Sequence, residues 1–179
     1  MRQWVFVTLT KTSKKLKINP MRQNNALLSK KSSIYLDTCS YNRPFDDQTQ
    51  LRISLETQAK LYIQSLIKND KLNLIYSYVC FYENYINPFE NKKLSIFEFS
   101  KNAKYYVIEN DNILIKANTI VNNGLKPIDA LHLSCAINAE ADYFITVDNG
   151  ILRYSTEEIE IFDPIMFIKH WESHGGNND

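Results

Sequence analysis

The chain has 179 residues, 44% of them hydrophobic and 23% charged, with a formal net charge of +1. That length and mixture suit one globular domain with its own core and leave too little chain for two. No run of eighteen apolar residues occurs, which excludes a transmembrane helix. The apolar stretch at residues 4–9 precedes the basic residues instead of following them, so no secretory signal is expected and a cytoplasmic setting is.

The chain opens on a charge block. Residues 1–33 hold eight Lys or Arg and no Asp or Glu, so the remainder carries thirteen basic residues against twenty acidic ones, a net charge of −7. Residues 1–32 therefore read as a flexible basic arm, with phosphate or partner binding as the alternative, and Met21 offers an internal start. The acidic remainder does not suit a protein that passively coats nucleic acid. To handle a polyanion it needs something to offset its carboxylates, and a divalent cation would do so.

The domain is expected over residues 33–172. Residues 33–36 form a short apolar strand that ends at Asp37. Residues 41–47 are rich in turn formers, and Asp46 or Asp47 is placed to N-cap a helix over 49–68. In that helix Leu55, Ala59, Tyr62 and Leu66 make one apolar stripe. A second strand follows at 71–77, then a helical segment carrying Glu83 that Pro88 ends or kinks. Two helices are expected at 94–103 and 110–123, the second with Ile113, Ala117, Ile120 and Val121 on one face and Gly124 as its C-cap. Pro127 opens the next helix, which carries Asp129 and His132. Residues 142–147 form a buried strand that delivers Asp148. A short helix at 150–154, a strand at 159–162 and a helix at 164–171 complete the domain, and 173–179 read as a disordered tail. Strands alternating with helices indicate a three-layer α/β domain with a parallel sheet.

Four glycines and no G-x-G-x-x-G or G-x-x-x-x-G-K exclude a glycine-loop nucleotide cradle. Cys39, Cys80 and Cys135 are odd in number and unpaired in spacing, so they read as small buried residues rather than a disulfide framework. His132 and Cys135 are three apart on one helix, half of a zinc site with no visible second pair.

The acids carry the functional signal. In an open parallel sheet, functional residues gather at the carboxyl ends of strands, and Asp37 and Asp148 both fall there. Asp129 stands near a helix N-terminus, which favours its charge. Each acid also has a local reading: a turn cap for Asp37, a helix cap for Asp129, an Asx turn for Asp148, a surface position for Glu83. Asp46, Asp47 and Glu56 read as caps and helix-face pairs, with Arg52 and Glu56 four apart.

Taken together, Ile34-Tyr35-Leu36-Asp37-Thr38, the segment from Ser77 through Glu83, Pro127-Ile128-Asp129-Ala130-Leu131-His132-Leu133 and Phe144-Ile145-Thr146-Val147-Asp148 resemble the PIN-domain nucleases, in particular the toxins of the virulence-associated protein C (VapC) type. Asn42-Arg43-Pro44-Phe45-Asp46-Asp47 is similar to a subgroup of that family. The resemblance spans about residues 33–165. It implies a three-layer α/β/α PIN-like domain in which Asp37, Glu83 and Asp129 gather around Mg²⁺ or Mn²⁺. Asp148 would then serve a second ion or the attacking water, with Thr38 and Thr146 orienting ligands. It further implies metal-dependent hydrolysis of RNA to a 5′-phosphate and a 3′-hydroxyl, a cognate antitoxin protein and a homodimer. Such carboxylates repel one another until a hard cation relieves them, and the cation activates water and polarises phosphate. Arg43, Lys126 and Arg153 are candidate phosphate contacts, and Tyr41 and Phe45 candidate stacking partners for an unpaired base. His132 reads as a packed histidine. Two other readings stay open: a catalytically silent PIN-like module that binds RNA or protein, and a metal-dependent phosphohydrolase acting on a small molecule.

Overall fold

A computed structural model of the chain describes residues 31–174. The basic arm and the tail fall outside the described residues, apart from residues 31, 32, 173 and 174. The architecture is a three-layer α/β/α fold around a five-stranded, all-parallel sheet of order β3-β2-β1-β4-β5. In chain order the strands are β1 (Ser33–Leu36), β2 (Asn73–Ser77), β3 (Ala103–Val107), β4 (Tyr143–Ile145) and β5 (Glu160–Phe162). The helices are α1 (Thr38–Asn42), α2 (Leu51–Lys68), α3 (Tyr78–Tyr85), α4 (Glu90–Ser100), α5 (Asp111–Asn122), α6 (Pro127–Asn138), α7 (Asn149–Leu152) and α8 (Pro164–Ser173). A 3-10 turn at Arg43–Phe45 follows α1. No helix among the described residues is long and apolar enough to cross a membrane.

β1 is the centre of the sheet because it is apolar on both faces. Ile34, Tyr35 and Leu36 are fully buried between β2 and β4, as strands covered on both sides by helices must be. The chain builds outward from β1 to β2 and β3, then returns through α5 and α6 to add β4 on the opposite side. Strand order therefore reverses between β1 and β4, and the crevice beyond their carboxyl ends is the topological place for a site in such a sheet. α5 packs on α6, and α2 on α8, to cover the layers.

Several expectations are corrected. α4 starts at Glu90 and stops at Ser100, and the residues beyond it form β3. β3 is an edge strand whose middle residues, Lys104, Tyr105 and Tyr106, are exposed, so it lacks the alternation of a half-buried strand. Its ladder with β2 defines it. α2 starts at Leu51 with Gln50 as an unassisted N-cap, while Asp47 closes a turn on Thr49. Leu55 and Tyr62 are exposed. The buried face of α2 is instead Glu56, Ala59, Lys60, Ile63, Leu66 and Ile67. Two charged residues can sit on that face because each meets a partner inside. Glu56 takes Arg43 and Arg52, and the Lys60 ammonium lies 6.0 Å from the Tyr41 ring centroid and 5.9 Å from that of Phe99. Gly124 follows the end of α5 at φ +106, a left-handed position suited to glycine.

Candidate active site

β1 ends at Leu36, and the Asp37 amide donates to the Ile145 carbonyl at 3.2 Å, extending the β1–β4 junction by one residue. Asp37 then caps α1: Oδ1 accepts from the Ser40 amide at 2.8 Å. Oδ2 accepts from the Thr146 hydroxyl at 2.5 Å. The side chain is 1% exposed. Burial pushes its carboxyl above the usual carboxylate range, and the His132 charge and the Thr146 and Ser40 donors oppose that push.

Thr146 serves both acids at the β1–β4 crevice. Its fully buried Oγ1 donates to Asp37 and accepts from the Asp148 amide at 2.9 Å. Asp148 N-caps α7, with Oδ1 accepting from the amides of Gly150 at 2.6 Å and Ile151 at 3.3 Å. A Cβ at position 150 would stand 2.8 Å from Asp148 Oδ1, so glycine is what lets the carboxylate fold over that amide.

Glu83 comes from α3. Its Oε2 accepts from the Thr38 hydroxyl and from His132 Nε2, the latter at 2.6 Å. Burial works against the Glu83 charge, yet the His132 contact and the Thr38 hydroxyl hold its carboxyl below the usual value. Burial likewise opposes charge on His132, but Cys80 and the Glu83 carboxylate push its pKa up to about 10. The imidazolium then donates from Nδ1 to the Tyr35 hydroxyl at 2.7 Å, and Tyr35 reaches Ser77 Oγ at 2.6 Å. His132 is a packed histidine, 3% exposed, and both of its ring nitrogens are engaged.

Asp129 is the third residue of α6, in the first turn, and no protein donor among the described residues hydrogen-bonds its carboxylate. Burial raises its pKa, and the Asp148 carboxylate raises it further, while Lys126 and His132 pull the other way. Asp129, Asp148, Lys126, Asn149 and Gly150 line one cleft of about 380 Å³. Partial desolvation raises the pKa of the Cys39 thiol, and the charges of Asp37, Asp148, Glu83 and Asp129 add to the rise. Cys39 is exposed, unlike the buried Cys80 and Cys135, which corrects the expectation for that cysteine.

The basic candidates are placed differently from one another. Lys126 lies in the cleft. The Arg43 guanidinium forms an ion pair with Glu56 at 2.8 Å and donates a hydrogen bond to Asp46 at 3.0 Å, and its side chain is 16% exposed. Arg153 caps the end of α7, exposed and outside the cleft lining. Tyr41 is buried in the core and unavailable to a base, whereas Phe45 is exposed with Lys92 over its ring.

The sequence reading gave Thr146 an orienting role, but it did not assign the partner role of His132. The signal available for His132 was its spacing: three residues from Asp129 on a helix puts the two on neighbouring faces.

The donor set of carboxylate and hydroxyl oxygens suits a hard divalent cation. The mutual repulsion of Asp129 and Asp148 is the kind of unrelieved charge such an ion would neutralise. Among the described residues, no three His, Cys, Asp or Glu side chains stand close enough to hold one ion. Glu83 is turned onto His132, and Asp37 spends both oxygens on protein donors. No family model matches the chain, and a comparison with curated proteins finds no relative.

Proposed function

We propose that this chain is an Mg²⁺- or Mn²⁺-dependent endoribonuclease of PIN-like type, with Asp37, Glu83, Asp129 and Asp148 as its metal-binding and catalytic acids. The observation that carries the reading is Asp129 and Asp148 lining one cleft with Lys126, beside Asp37, which Thr146 ties to the Asp148 backbone at the β1–β4 switch point. Burial raises the pKa of Asp37, and partial burial with the neighbouring Asp148 charge raises that of Asp129, a perturbation typical of functional acids. A divalent ion bound by these acids would activate water and polarise a phosphodiester. The residues of the chain supply the rest. Thr146 orients Asp37 and fixes the backbone before Asp148; Thr38 and His132 hold Glu83 ionised; Lys126 offers a cation to a backbone phosphate beside Asp129.

The reading extends to a toxin restrained by an antitoxin protein, acting in the cytoplasm as a homodimer. Support for a protein partner is the number of exposed apolar and aromatic residues on α3, α4 and the turn between them: Phe81, Tyr85, Ile86, Phe89 and Phe97. A PIN-like module that binds without cutting is the second reading, and the turning of Glu83 onto His132 is what favours it.

The test is cleavage of a mixed single-stranded and structured RNA pool by purified wild type and Asp129→Asn, each with Mg²⁺, Mn²⁺ or EDTA. Metal-dependent cleavage that disappears with EDTA and with Asp129→Asn is the expected result. RNA retained without cleavage in any metal selects the binding module. Cleavage that survives both changes refutes the site.

A further inference from the structure

Arg52 stands on the first turn of α2, between Asp37 and Glu83 in sequence. Its Nε donates to Glu56 Oε1 at 2.7 Å, the i,i+4 pair that helix spacing allows. An ordinary exposed pair of this kind contributes little and holds neither side chain still. This one differs in its acceptor. The Glu56 side chain is 2% exposed, and its other oxygen is held by Arg43 Nε at 2.8 Å. Arg43 in turn bonds Asp46, and its carbonyl accepts from the Thr57 hydroxyl at 3.1 Å. Glu56 is thus a fixed, buried anchor, and Arg52 is bound to it by one edge of a rigid planar fork.

The rest of that fork faces outward, with the Asp163 charge acting on it from nearby. The Arg52 side chain is 59% exposed. Its second contact is Nη2 to Asn149 Oδ1 at 3.5 Å, the outer limit of a hydrogen bond. Asn149 follows Asp148 and lines the cleft that holds Asp129 and Lys126. One wall of the acidic cleft therefore carries Lys126, and the guanidinium of Arg52 reaches the Asn149 side. Resting on the nuclease reading above, we propose that Arg52 is a substrate-binding residue whose guanidinium holds a backbone phosphate of single-stranded RNA beside the Asp148 rim. Glu56 and Arg43 are the positioning residues that aim it. The RNA strand then crosses the cleft from Lys126 to Arg52, over Asp129 and Asp148. A planar fork with unspent donors suits a phosphate's oxygens better than a single ammonium does.

The test uses the full chain in an Asp129→Asn background with Ca²⁺, so that binding is measured without turnover. A fluorescent single-stranded RNA is titrated at several salt concentrations with Arg52 intact, Arg52→Gln and Arg52→Lys. Gln keeps a donor for Glu56, and urea melts check that all three proteins fold. Loss of one phosphate contact is expected to weaken binding about five- to tenfold at low salt and reduce the slope of log K against log salt by about 0.7. Arg52→Lys is expected to recover the slope. In the cleaving protein, Arg52→Gln should raise KM with little change in kcat. An unchanged slope in Arg52→Gln, with RNA still bound by the parent, overturns the role of Arg52 and leaves the nuclease reading standing. Failure of the Asp129→Asn parent to bind RNA, together with failure of the wild type to cleave it in Mg²⁺ or Mn²⁺, overturns both.

Discussion

Thr146→Val is a near-isosteric change at the point where two acids of the site are joined. Thr146 is fully buried, and its single oxygen makes two bonds: it donates to Asp37 Oδ2 at 2.5 Å and accepts from the Asp148 amide at 2.9 Å. A hydrogen bond to a charged group contributes about 1.5–3 kcal/mol, and the neutral bond to the amide about 1 kcal/mol. Valine fills the same volume, so no cavity term is added, and the expected loss is about 2.5–4 kcal/mol once Asp37 is ionised. The loss should depend on pH. The Asp37 carboxyl is already raised by burial, and removing a donor to its charged form raises it further. A carboxyl with a raised folded pKa stabilises the fold below its unfolded pKa, and that contribution is lost as pH rises through the folded value. The variant should therefore approach wild type in acid, where Asp37 is neutral in both, and diverge as Asp37 ionises. Urea denaturation from pH 4.5 to 8.5 measures this, with Asp37→Asn as the second arm of a double-mutant cycle. A loss below about 0.5 kcal/mol, or one of equal size at every pH and in the Asp37→Asn background, refutes the account of Thr146.

His132→Gln should unpair Glu83 and Tyr35 together. The folded pKa of His132, about 10, lies above its ordinary value, so its contribution is complete below about pH 6.5 and is lost as pH rises through about 10. Urea melts of wild type and variant should accordingly converge toward pH 10, and a constant gap would contradict an ion pair with Glu83. Lys60→Met should stabilise the domain by about 1–3 kcal/mol at pH 7, because burial, with Lys68 nearby, lowers the Lys60 pKa to about 7. That gain should shrink as pH rises toward the unfolded lysine value, and thermal melts at pH 7 and 9.5 compare the two; a destabilised Lys60→Met protein would mean the cation–ring contacts outweigh burial.

The sheet illustrates why some elements are legible along the chain. β1 and β4 are buried on both faces, so apolar runs ending in an acid mark them wherever they sit in sequence. β3 carries no such mark, because an edge strand of exposed Lys104, Tyr105 and Tyr106 is defined by its ladder to β2. α2 shows the converse. Helical periodicity locates it, yet its apolar stripe is not its buried face, since Glu56 and Lys60 go inward to meet Arg43 and two aromatic rings. Partners thirteen or more residues away leave no trace in local periodicity.

For the site, sequence alone determined the identities and order of Asp37, Glu83, Asp129 and Asp148, and the placement of two of them after parallel strands. Chain position dictates that much, because a strand's last residue emerges at the carboxyl edge of its sheet. Tertiary structure decided which protein groups hold each carboxylate. Thr146 clamps Asp37, and His132 takes Glu83. Asp129 is left facing Asp148, and Glu56 fixes Arg52 at the rim of the cleft. Those assignments depend on through-space contacts of a few ångströms between residues up to 109 apart in sequence, and only packing of the layers sets such distances.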